Sequence, residues 1–69
     1  MVTYETIPEG TRAAVDQIVD EFYHNGKDAA AAMFSDYVTT CKLMKWEGLA
    51  LGEIIRARLA SLGYLQIKV

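Results

Sequence analysis

The sequence predicts a mainly α protein: a small bundle of two to three helices, with terminal segments suited to short strands, and dimeric in its working form. Three observations carry that prediction. Apolar residues recur at spacings of three and four, which lines side chains up on one face of a helix. Glycines stand where those stretches would have to stop, at Asn25-Gly26, Gly48 and Gly63. Finally, a chain of 69 residues, 52 % apolar but with nine alanines among them, makes a real but thin core. Association is the expected remedy for so small a domain.

The first seven residues carry Val2, Thr3, Tyr4, Thr6 and Ile7, a modest strand pattern. Thr6-Ile7-Pro8-Glu9 reads as a capping box, in which the Thr6 hydroxyl accepts from the Glu9 amide and the Glu9 carboxylate accepts from the Thr6 amide. Pro8 fits there because first-turn amides lack intrahelical partners. A first helix follows to about His24, with Ile7, Ala14, Val15, Ile18, Val19 and Phe22 as its apolar stripe. Asn25-Gly26 supplies the stop.

Asp28 is expected to cap a second helix that opens on Ala29-Ala30-Ala31-Ala32. Its seam is Ala30, Phe34, Tyr37, Cys41 and Met44, spaced 4, 3, 4, 3, the rhythm of packed antiparallel helices. Glu47-Gly48 is the expected break. A third helix then holds Leu51, Ile54, Ile55, Leu59 and Leu62 and ends at Gly63. A single helix from Ala29 to Leu62 is the rival; Gly48 and Gly52, each costing about 1 kcal/mol relative to Ala, argue against it. The tail Tyr64-Leu65-Gln66-Ile67-Lys68-Val69 alternates, as a strand pairing with residues 2–6 or with its symmetry mate would.

Composition narrows the function classes. Residues 1–69 read as one mini-domain, and a single Cys rules out an internal disulfide. The start Met1-Val2-Thr3-Tyr4-Glu5 has neither the basic nor the apolar region of a leader, and no apolar run is long enough to cross a membrane. A cytoplasmic protein without membrane partners is the expectation. Charge is segregated: residues 1–36 hold seven acids and two bases (net −5), while residues 37–69 hold five bases and two acids (net +3). Such a chain suits pairing of its acidic half with its basic half, inside the fold or across a dimer.

The chemistry-bearing residues are few. Asp16, Asp20 and His24 share a helix face at i, i+4 and i+8. A divalent metal would want a second element to complete that set, and a solvated polar face is the simpler reading. Cys41, on the apolar seam, reads as a small buried hydrophobe rather than a nucleophile, because nothing places His24 beside it. No catalytic residue, metal ligand or cofactor is expected. Gly48-Leu49-Ala50-Leu51-Gly52 has the spacing of a close helix crossing; here it marks a helix start or a tight backbone contact.

Lys42, Lys45, Arg56 and Arg58, with Trp46 among them, could form a basic-aromatic patch for phosphate oxygens. Ile54-Ile55-Arg56-Ala57-Arg58-Leu59 followed by Leu62-Gly63-Tyr64-Leu65 resembles the second helix of a winged helix-turn-helix running into its first strand. The resemblance implies a small DNA-binding transcriptional regulator. It covers under a third of the chain, leaves no hairpin for a wing, and sits in a protein of pI near 5.2. The favoured reading rests on Met33, Phe34, Tyr37, Cys41, Met44 and Trp46, more apolar and aromatic side chains than three short helices can hide. It is a non-enzymatic protein-binding module, a homodimer acting as a stoichiometric inhibitor or adaptor on a larger protein, of the kind common among phage and mobile-element accessory products. The expected partner-binding residues are Tyr37, Met44 and Trp46 as anchors, Lys42 and Lys45 as steering charges, and Arg56 and Arg58 as a charged rim.

Overall fold

The computed structural model describes residues 3–64. A short 3-10 turn at Tyr4–Thr6 leads into three helices: α1 (Glu9–Asn25), α2 (Lys27–Thr40) and α3 (Lys45–Ser61). No strand occurs among the described residues.

Each helix ends for a reason visible in one or two residues. α1 stops at Gly26, whose φ of 94° and ψ of 179° suit glycine and strain any L side chain. The Gly26 amide donates to the Phe22 carbonyl and the Gly26 carbonyl accepts from Ala30, so one residue closes α1 and opens α2. α2 ends in a Schellman motif: Lys42 donates to the Thr39 carbonyl (3.2 Å), and Leu43 donates to the Val38 carbonyl (3.1 Å). Lys42 takes the left-handed position with φ 53°, where helices more often place Gly. α3 ends the same way, with Gly63 at φ 79° and the Tyr64 amide donating to the Leu59 carbonyl.

The core is Val15, Ile18 and Val19 from α1, Ala30 from α2, Leu51, Ile54, Ile55 and Leu59 from α3, and Ile7 from the entry loop. α1 is the central element and packs against both α2 and α3. Full burial of an aliphatic side chain stabilises by about 1.5–3 kcal/mol; Val15 and Ile18, the most completely buried side chains, are the centre of that contribution. Tyr4, Phe22, Met33, Phe34, Tyr37 and Leu43 pack against it half-buried.

Several boundaries differ from the sequence reading. Tyr4–Thr6 form a 3-10 turn and not a strand, because a threonine pair closes it locally, while residues 1–2 of the expected strand lie outside the described residues. The Thr3 amide donates to Thr6 Oγ1 at 2.8 Å, and the Thr6 hydroxyl and amide both donate to the Thr3 carbonyl. Thr6 is thereby spent, and α1 begins from Pro8, with no capping box between Thr6 and Glu9. Asp28 lies in the first turn of α2 and does not cap it, since Gly26 already holds the cap position. Residues 29–62 form two helices, and the break falls at Cys41–Met44 rather than at Glu47-Gly48. Glu47 helps α3 start, its carboxylate accepting from the Met44 amide at 2.9 Å. The seam predicted through Cys41 and Met44 runs out when α2 does; both residues are exposed, so Cys41 is not a buried hydrophobe. Leu62 lies beyond α3 and is exposed. The strand expected over 64–69 falls outside the described residues except for Tyr64.

Candidate functional site

The most exposed large apolar residues include three at the corner where α2 turns into α3: Met44, Trp46 and Leu49, each between 62 % and 64 % exposed. Their placement follows from the two ends that meet there. The Schellman turn aims Leu43 inward, where it packs against the core, and leaves Met44 outside as the N-cap of α3. Along α3 the buried stripe is Leu51, Ile54, Ile55 and Leu59. At about 100° per residue, Leu49 lies about 160° around the helix from Leu51, and Trp46 also falls on the outer side. Lys42 and Lys45 flank the corner, both exposed.

From Leu49 a shallow groove runs along α3, lined by Phe34, Gly48, Gly52, Glu53 and Arg56 and continuing past Ala57 to Ala60. The glycines set its depth. A Cβ on Gly48 would lie 3.8 Å from Val38, and one on Gly52 would lie 3.8 Å from Phe34. These are ordinary van der Waals separations, so the spacing of α2 and α3 does not exclude alanine at either position. Beyond Gly52 lies a cleft of about 210 Å³ between Ile18, Phe22, Ala30, Phe34, Ile55 and Leu59, with Lys27 and Arg56 as its charged lining.

On the other side of α3 the N-terminal turn is pinned in two ways. The Tyr4 hydroxyl donates to Asp16 Oδ1 at 2.7 Å, and the Arg58 guanidinium sits 4.5 Å above the Tyr4 ring. The hydrogen bond to Asp16 holds the Tyr4 hydroxyl pKa above its ordinary value, with desolvation and the Asp16 charge adding to it; Arg58 and Arg12 oppose the rise. Asp16 is thereby committed to Tyr4, while Asp20 faces His24 at 3.6 Å. Among the described residues no group of three or more His, Cys, Asp and Glu side chains could hold a metal ion. Among them no Lys or Arg lies within bridging distance of a carboxylate, so the acidic and basic halves are not joined by bridges inside the described fold.

The predicted surface residues therefore divide. Lys42, Met44, Lys45 and Trp46 come together at the corner. Arg56 lies further along α3, on the groove and cleft. Arg58 is half-buried against Tyr4, and Tyr37 is half-buried against the core. Sequence reasoning missed Leu49, whose signal was its position opposite Leu51, and it missed the cleft. It also missed Tyr23, 61 % exposed, which stacks on Tyr64 at a ring separation of 4.8 Å and meets His24 edge-on.

The fold and this surface define a class: a three-helix domain with an apolar corner and an adjoining groove. Comparison with protein-family models, curated proteins and solved structures finds no match to this chain.

Proposed function

We propose that this protein is a small, non-enzymatic, homodimeric binding module that acts as a stoichiometric inhibitor or adaptor on a larger protein, as phage and mobile-element accessory products of this size do. The observation that carries the reading is the corner itself. Met44, Trp46 and Leu49 stand exposed at the start of α3, on a domain with few apolar residues to spare. Trp is favoured at the centre of interfaces because its desolvation on binding is large, and Met adapts to an irregular partner surface. Lys42 and Lys45 beside it steer an acidic partner.

The helix-turn-helix reading has one observation in its favour, the four-residue connection Cys41–Met44 between α2 and α3. A DNA-reading helix would present basic and polar side chains along its outer face. α3 presents Trp46 and Leu49 there, and carries Glu47 and Glu53 as well. Arg58, engaged with Tyr4, is not free to meet a phosphate.

Capture from host lysate with the tagged protein and with Trp46→Ala, each with and without nuclease, tests the reading. The expected result is one stoichiometric protein band that survives nuclease and is lost with Trp46→Ala. Capture that vanishes on nuclease treatment, or binding unchanged by Trp46→Ala, would overturn it.

A further inference from the structure

The cleft between α1, α2 and α3 plays no part in the binding-module reading. It exists because small residues meet there: Ala30 and Ala31, from the alanine run that opens α2, line it together with Gly52 of α3. With no bulky side chain to fill the space, the buried Ile18, Ile55 and Leu59 form an aliphatic floor. The half-buried rings of Phe22 and Phe34 complete the apolar lining.

The charged part of the lining has one sign. It consists of Lys27, the first residue of α2, and Arg56 on α3. Both are exposed, and neither lies within bridging distance of a carboxylate among the described residues. Asp28 and Glu53, their acidic neighbours along the two helices, do not line the cleft. Two uncompensated cations beside an apolar surface favour an anion, and the planar fork of a guanidinium matches a carboxylate in particular. Size narrows the class further. The cleft measures about 210 Å³. A cavity of about 150 Å³ lined by Leu, Ile and Phe takes up benzene, so this cleft suits a single or fused aromatic ring, against which Phe22 and Phe34 can pack offset or edge-on.

We infer that the cleft binds a small aryl carboxylate, its ring against Phe22 and Phe34 over the aliphatic floor and its carboxylate held by Lys27 and Arg56. Burial of the ring supplies the driving force, and the two cations select the charge. This site draws on neither the Trp46 corner nor the dimer proposed above.

Titration of the whole protein with naphthoate, followed through its backbone amide NMR signals, tests the site. Naphthamide and naphthylmethylammonium serve as the neutral and cationic counterparts. Naphthoate should saturate at one molecule per chain and shift the amides of Ala30, Ala31, Phe34, Gly52 and Ile55. The neutral and cationic compounds should bind about ten-fold more weakly or worse. Lys27→Gln combined with Arg56→Gln, both at exposed positions, should lower naphthoate to the affinity of naphthamide and leave naphthamide itself unchanged. Ala31→Phe, also at an exposed position, should fill the cleft and remove binding of all three, with circular dichroism confirming the fold; the Lys27 and Arg56 comparison decides independently of that variant. Trp46→Ala should change nothing. The absence of a saturable shift at millimolar naphthoate, equal affinity for the three compounds, or shifts centred on Met44, Trp46 and Leu49 would each overturn the site. Self-association that Ala31→Phe abolishes and naphthoate does not disturb would assign the cleft to a second copy and overturn it as well.

Discussion

Of the three left-handed positions that end helices, Lys42 and Gly26 respond to substitution in opposite directions. Lys42 holds a left-handed φ of 53° to complete the Schellman turn. Glycine relieves that strain, so Lys42→Gly should stabilise by about 1 kcal/mol, read as a higher denaturant midpoint with an unchanged slope. Gly26, at φ 94°, is the converse: Gly26→Ala should cost more than about 1 kcal/mol, although nothing stands within 4 Å of the added methyl. Tyr4 gives a pH signature. Its hydroxyl must stay protonated to donate to Asp16, and its folded pKa is raised above 10.0. The folded state therefore holds that proton more tightly than the unfolded state. This contribution to stability is fully present below pH 10 and is lost as pH rises through the folded value. Tyr4→Phe should flatten the fall in stability above pH 10; an unchanged alkaline profile would show that the hydrogen bond to Asp16 contributes nothing.

At the scale of elements, α3 is the helix to probe. Gly48 and Gly52 lie within it with room for a methyl group, so Gly52→Ala should raise stability by about 0.5–1 kcal/mol. Destabilisation would mean that α2 and α3 approach more closely than described. Trp46→Ala, at an exposed position, should change stability by less than about 0.5 kcal/mol, which makes it a clean probe of binding. Much of this architecture was legible in the sequence. The stripes Val15-Ile18-Val19 and Leu51-Ile54-Ile55-Leu59 sit in the core as their spacing requires, and Gly26 and Gly63 stop their helices. The end of α2 was not legible by glycine, because Lys42 occupies the position that Gly usually marks. Its signal was the apolar pair Val38 and Leu43, five residues apart and joined by the turn's own hydrogen bond. The Thr6 box misled because a closer partner, Thr3, competes for the same hydroxyl. Of the candidate surface, Met44 and Trp46 were legible as apolar excess, whereas the cleft depends on how three helices meet and has no signature in any one of them.

The whole molecule rests on few residues. Stability of roughly 0.05–0.15 kcal/mol per residue is typical of native proteins. Ile18→Ala, emptying a buried site at the centre of the core, should cost about 2–5 kcal/mol and leave the chain largely unfolded at 37 °C. If the protein works as a dimer, its thermal midpoint should rise with protein concentration. Equal midpoints for the parent across the range would contradict association. The same thinness gives the Trp46 corner its meaning, since a domain short of core residues leaves its only tryptophan in solvent. That tryptophan is also the most direct reporter of the account. Trp46 emission should be that of a solvated indole in the isolated protein. On titration with the captured partner it should shift to the blue, become protected from soluble quenchers and saturate at one partner per chain. A partner that binds stoichiometrically while Trp46 stays red-emitting and quenchable would show that the corner is not the docking surface.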